Sequence, residues 1–109
     1  MIEFSDFKKV DLRIGTIRKA YKNEKAHSPA YIMEIDFGEL GVKKTSAQIA
    51  ENYEPGNLAG RQVVAVVNFP PKQIADMMSE VLVLGALSDE KGTVLLEPER
   101  KVENGAKVG

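Results

Sequence analysis

Side chains able to recognise a ligand concentrate in one short stretch, NFPPKQIADMMSE, residues 68–80. Asn68 and Gln73 each offer donors and an acceptor, Lys72 a cation, Ser79 a hydroxyl and Glu80 a carboxylate. Pro70 and Pro71 fix φ and carry no N–H, so strand pairing should stop there and a stiff backbone should present its neighbours. Phe69 precedes Pro70 and is pushed toward an extended conformation. Ile74, Met77 and Met78 fall at i, i+3 and i+4, a spacing that a single helical turn gathers on one side. Adjacent methionines are flexible and polarizable, which suits adaptable apolar contacts. The same turn could instead close the end of a core. Outside the stretch, Lys43 and Lys44 alternate on one strand, so at most one of them reaches the same surface. Ser46 shares the phase of Lys44. The chemistry on offer is binding, with hydrogen bonds, one or two cations and an apolar pad.

Turnover chemistry has little to work with. The chain contains no Cys and a single His, His27. That removes thiol nucleophiles, disulfides and thiolate or His-cluster metal sites. His27 sits in EKAHSPAY, a polar setting expected to be an exposed loop. No carboxylate pair stands at a spacing that identifies a general acid and base. Glu34 and Asp36 alternate on one strand and read as surface charges. No GxxxxGK[ST] motif is present, so nucleotide-driven action is not expected. The chain is expected to be no enzyme and to use no cofactor.

The totals describe an ordinary soluble protein. It has 109 residues, 43% hydrophobic and 28% charged, with a net charge of −1. That length favours one domain spanning residues 1–109. The N-terminal MIEFSDFKKV lacks an apolar h-region, and no run is long enough to span a membrane, so a cytoplasmic protein without membrane insertion is expected. Charge is unevenly spread. Residues 8–25, KKVDLRIGTIRKAYKNEK, hold seven Lys or Arg against two acids. Such a stripe either steers an anion to one face or simply forms solvated strand edges.

Strands must position these groups, because the dominant apolar period is two. In VDLRIGTI, Val10, Leu12 and Ile14 alternate with Asp11 and Arg13, and then Ile17 arrives three places on. Gly15 sits in the gap, which predicts a β-bulge or sharp bend, with the strand running on to Tyr21 in the shifted phase. YIMEIDFG forms a second strand and VKKTSAQI a third. AQIAENY is expected to be a short helix that EPGN ends. GRQVVAVVNF is apolar on both faces, as in a central strand. EVLVLGALSDEKGTVLLEP reads as a strand, a polar turn and a strand, and the tail ERKVENGAKVG has room for a short strand. Val63, Ala65, Val67, Leu82 and Leu84, or their opposite-face neighbours, should fill the core. A bent first strand and a helix between strands three and four describe an all-β OB-fold, a five-stranded barrel with extra terminal strand segments. In that fold the ligand face lies on strands two and three, flanked by the loops joining strands one to two and four to five. Here those loops are KNEKAHSPA and residues 68–80.

These segments resemble the tRNA-binding domain family. VDLRIGTI and TSAQIAENYEPGNLAGRQVVAVVNFPPKQIADMMSEVLVLGA carry the likeness, which extends from about Phe7 to Gly109. Within the family, the wording VVNFPP and SEVLVLG is most similar to the CsaA-type secretion-chaperone branch. The resemblance implies an OB-fold homodimer with terminal segments at the interface and no catalysis. Carried over by position, the binding surface is Lys44, Ser46, Asn68, Lys72, Met78, Ser79 and Glu80, to which the residue chemistry adds Phe69, Gln73 and Met77. One departure bears on the ligand: where family tRNA binders commonly have Gly-Met after the Ser-Glu or Ser-Gln pair, this chain has Val81 and Leu82.

Two functions follow as expectations. The first is a chaperone that binds unfolded or pre-export polypeptide and works with the secretion machinery. The second is a structure-specific tRNA binder using the same OB-fold surface. With no Trp in the chain, base stacking would rest on Phe69, Tyr31 and Tyr53, and RNA recognition would depend mainly on shape and phosphate contacts.

Overall fold

The computed structural model describes residues 1–25, 30–74 and 77–109; His27 lies outside the described residues. The chain opens with a helix that the apolar pattern did not announce, α1, Phe4–Lys8. A capping box starts it, in which the Glu3 N–H donates to Asp6 Oδ2 at 2.9 Å. It buries no side chain, which is why periodicity is silent about it.

The long strand β1, Leu12–Lys22, organises the barrel. Its first half pairs antiparallel with β4, Gln62–Val66, and its second half with β2, Tyr31–Asp36. Leu12, Ile14 and Ile17 are buried, but the register runs unbroken from Leu12 to Ile17, so Ile17 faces the central cluster while Leu12 and Ile14 lie on the opposite face of the strand. The register shift falls between Ile17 and Lys19, two residues beyond Gly15. Gly15 serves a different need. A Cβ there would lie 2.6 Å from Ile35 Cγ2 and 2.7 Å from the Phe37 ring, so the bare backbone makes room for two core side chains.

β2 pairs along its whole length with β3, Val42–Ala47. The following QIAENY is no helix. It is an irregular turn, with Asn52 N–H donating to the Ile49 carbonyl at 3.3 Å. The helix comes later, as α2, Pro55–Leu58. Proline was expected to end a helix here, but at the first helical position its missing N–H costs nothing and its fixed φ favours initiation. Leu58 is fully buried, and Gly60 N–H donates to the Ile17 carbonyl at 2.7 Å, so α2 seats against the bend of β1.

Past β4 the chain forms a small separate hairpin, β5 (Lys72–Ile74) with β6 (Met77–Ser79). The expected helical turn over residues 74–78 is replaced by this pair, in which Ile74 faces Met77 and Gln73 faces Met78. β7, Leu82–Val83, then pairs with β4. A second hairpin, β8 (Gly85–Ser88) with β9 (Gly92–Leu95), turns through the polar residues 89–91 as expected. Asn52 Nδ2 donates to the Lys91 and Thr93 carbonyls at 2.6 and 2.8 Å, and Leu95 N–H donates to the Tyr53 hydroxyl at 3.0 Å. The QIAENY turn is thus the clasp that holds this hairpin to the barrel. Finally β10, Lys107–Val108, pairs with Leu12 and Arg13 on the side of β1 that β2 leaves open.

The main sheet therefore runs β3-β2-β1-β4-β7 with β10 added to β1, and curls into the OB-fold expected from the sequence. Ile17, Met33, Ile35, Phe37, Leu58, Val63 and Ala65 are at its centre. In β4 the core set is Val63 and Ala65, joined by Val66. Around β7 the opposite-face neighbours are correct. Val81 is buried and Val83 packs on the core, whereas Leu82 is half exposed. Gly15→Ala is expected to overpack the centre and lower stability by about 1–3 kcal/mol, read as a shift in the urea midpoint at unchanged slope.

Candidate functional site

The decisive geometry lies where β3 meets residues 79 and 80. Thr45 Oγ1 donates to the Val81 carbonyl at 2.7 Å, and a carbonyl can only accept. The single Thr45 proton is therefore used, so the 2.7 Å contact with Ser79 Oγ must have Ser79 as donor. Ser79 Oγ in turn accepts the Ser46 N–H at 3.2 Å. Next to it, Lys44 N–H donates to Glu80 Oε1 at 2.9 Å, and Glu80 N–H donates to the Lys44 carbonyl at 2.8 Å. Two side chains thus do the work of a strand ladder along this edge. Ser79 is buried.

Asn68 is committed in a similar way. Its Oδ1 accepts the Asp11 N–H at 2.9 Å and its Nδ2 donates to the Lys9 carbonyl at 2.8 Å. The amide staples the end of β4 to the junction of α1 and β1. Beside it, Arg13 Nε donates to Asp11 Oδ1 at 2.6 Å. That hydrogen bond, opposed by burial and aided by the Asp11 charge, raises the Arg13 pKa above its usual value. Asn68, Ser79 and Glu80 were expected at the binding surface for their hydrogen-bonding groups, and the structure shows those groups engaged within the protein.

Beyond Ser46 the sewn edge opens into a groove of about 620 Å³. Ala47, Ile49, Val81, Val83 and Leu95 give it an apolar floor, and Ser46, Phe69, Pro70, Lys72 and Glu80 stand around it. Lys72 and Glu80 are its only ionisable side chains among the described residues, so its formal charge balances. Phe69, Met78 and Leu82 are 50%, 47% and 50% exposed. Of the residues singled out from sequence, Ser46, Phe69, Lys72, Ser79 and Glu80 line this groove, while Lys44, Asn68, Gln73, Met77 and Met78 do not. Gln73 and Met78 sit on the β5–β6 hairpin, exposed, with Met77 half-buried beside them.

A second surface is the outer face of β1, β2 and β3. Lys19, Glu34 and Lys44 lie directly opposite one another across the three strands. Tyr21, Ile32 and Ser46 form the next row, and the Lys19 ammonium sits 5.4 Å from the Tyr21 ring centre. Lys19, Tyr21 and Ile32 were not singled out from sequence. The register shift between Ile17 and Lys19 turns Lys19 and Tyr21 to the face that Lys44 occupies, whereas a shift at Gly15, where the apolar spacing put it, would leave them on the face of Ile17.

The family model of the tRNA binding domain matches residues 12–107. The chain belongs to the tRNA-binding domain family. Two solved structures cover all of it: the chaperone CsaA from Bacillus anthracis, at 51% identity, with 99% of that chain covered and a TM-score of 0.95, and the CsaA chaperone protein from Picrophilus torridus, at 46% identity, with 100% covered and a TM-score of 0.95. Among longer proteins of the family, the methionine--tRNA ligase of Methanococcoides burtonii is 32% identical over 96% of this chain. This chain spans only 15% of that ligase's length.

The hydrogen bonding predicts a split between the residues of the stretch. Ser79→Ala leaves the Ser46 N–H without a partner and removes the hydroxyl that donates to Thr45 Oγ1, and is expected to cost about 1–3 kcal/mol. Lys72→Ala, an exposed change, should stay within about 0.5 kcal/mol. Equal urea midpoints for the two variants would contradict the structural role of Ser79.

Proposed function

We propose that this protein is a CsaA-like homodimeric chaperone of the cytoplasm that binds unfolded or pre-export polypeptide, assists secretion and has no catalytic activity of its own. The observation that carries this reading is the groove beside β3. It is apolar, balanced in charge and edged by half-exposed Phe69 and Leu82. A neutral, greasy slot with hydrogen-bonding groups on its rim matches an unfolded chain, which offers apolar side chains and an uncharged polar backbone. The full-length likeness to two CsaA structures supports the same reading. Dimerisation has support in the apolar residues left exposed outside the groove, among them Ile2, Phe4, Leu87 and Leu96. Two grooves on one dimer would hold a long flexible client by avidity without new contacts.

The test is suppression of aggregation of a chemically denatured reporter enzyme, followed by light scattering without nucleotide. The wild-type protein should suppress scattering at about one dimer per client. Replacing Phe69, Met78 and Leu82 together by Ser should remove most of that effect while leaving the barrel folded. Equal scattering with and without the wild-type protein would overturn the reading.

A second reading has its own observation, the row of Lys19 and Lys44 beside Tyr21 on the outer face. That arrangement supports tRNA binding, in keeping with the family, through phosphate contacts and one aromatic surface. Labelled total tRNA titrated at two salt concentrations separates the readings. Submicromolar affinity at moderate salt, with Lys44→Ala and Lys72→Ala each flattening the salt slope by about one unit, is the result expected of a tRNA binder. Binding confined to low salt is the result expected of the chaperone.

A further inference from the structure

Resting on the polypeptide-binding reading, we propose that client backbone enters the groove as an added β-strand between β3 and β7. On one bank is the edge of β3. Lys44 turns both its N–H and its carbonyl away from β2, toward Glu80. Antiparallel pairing alternates, so Ser46 presents its N–H and carbonyl to the same side. The Ser46 N–H is taken by Ser79, but its carbonyl, which falls where the sewn edge ends, has no hydrogen-bond partner among the described residues. On the other bank is β7. Val66 faces Leu82, and Leu84 N–H donates to the Val64 carbonyl while the Leu84 carbonyl accepts the Leu96 N–H, so Leu82 and the Leu84 N–H are aimed at β4. By the same alternation Val83 aims its N–H and carbonyl away from β4, into the groove. Neither group has a partner among the described residues.

Both banks therefore present unused strand-edge groups across an apolar floor. Paired edges of this kind ask for a ligand with donors and acceptors at the spacing of a peptide backbone, and with side chains alternating to one side. Inward side chains would drop onto Ala47, Ile49, Val81, Val83 and Leu95; outward ones would pass between Phe69 and Leu82. The charge of the lining favours the same occupant. One Lys and one Glu balance, whereas a polyanion would want an excess of cations. The occupant is an extended segment of another polypeptide, with small or branched apolar residues at every second position. Recognition through the backbone leaves sequence largely unread, which suits a protein that meets many clients.

The experiment uses the intact protein and a fluorescein-labelled eight-residue peptide of alternating Val and Ser, followed by anisotropy. Two further peptides carry N-methyl groups, one on every Val amide and one on every Ser amide, so that each loses one lateral row of donors and keeps its side chains. The parent peptide is expected to bind, and at least one methylated form to bind at least tenfold more weakly. Ala47→Leu, which fills the floor without touching the Ser79 and Glu80 contacts, is expected to weaken the parent peptide by a similar factor. If both methylated peptides bind within about twofold of the parent, edge pairing is wrong, although polypeptide binding stands. If the parent peptide fails to bind while the protein still suppresses aggregation, this mode is again overturned and the chaperone reading survives. Failure of both peptide binding and aggregation suppression would sink the chaperone reading itself. Displacement of the peptide by an equimolar single-stranded oligonucleotide would give the groove to nucleic acid and overturn the proposal.

Discussion

Lys44 gives its N–H to the Glu80 carboxylate and takes the Glu80 N–H on its carbonyl, and one residue further the Ser79 hydroxyl joins Thr45 to Ser46. A small barrel must deal with the free edges of its first and last strands, and a regular ladder is the usual means. Here the closure is brief and made largely by side chains. It is strong enough to fix the relation of β3 to β7, because each buried polar group in it has a partner and would be costly to leave without one. It is also short enough that the two strands part directly beyond it. The groove exists because the ladder stops. Its apolar floor is the inner face of β3 and of the segment around β7, seen where no neighbouring strand covers it.

That constraint explains why the residues that look functional divide in two. Ser79, Glu80 and Asn68 complete backbone hydrogen bonds that the main chain leaves open, and their exchange would disturb the barrel before it disturbed a ligand. Phe69, Lys72, Met78 and Leu82 stand exposed at the surface. The two prolines between these groups keep the hairpin apart from the main sheet, since neither can donate to a ladder. Stability and recognition therefore lie close in sequence but on different atoms.

Much of the fold was legible because β2 and β4 carry their burial openly, through alternation in Tyr31, Met33 and Ile35 or through a continuous apolar run at 63–67. The errors have physical causes. α1 buries nothing and has no periodicity to read. α2 begins with a proline, a residue that ends helices elsewhere and starts them at the first position. Ile74 and Met77 are three apart, and residues three apart meet on a helical turn and also face one another across a tight antiparallel reversal, so spacing alone could not choose. For the site, amide, hydroxyl and carboxylate side chains were correctly seen as unusual between two strands. Whether such groups serve a ligand or the backbone depends on which main-chain atoms lie within 3 Å, and that is a property of the folded chain. The outer-face row of Lys19 and Lys44 was not legible, because the register shift falls after Ile17 and not at Gly15, where the apolar spacing put it.

The pairing of β10 with β1 has a consequence for how the molecule comes into being. Leu12 sits between Val66 on one side and Val108 on the other. Those contacts join residues separated by about half of the chain and by most of it, so the topology has a high contact order and belongs with folds that form in milliseconds to seconds rather than microseconds. During synthesis the N-terminal strand emerges long before its final neighbour has been translated. Until residues 107 and 108 leave the ribosome, one edge of the central strand stays open, and the nascent chain passes through a stage as exposed and adhesive as the clients proposed for the finished protein.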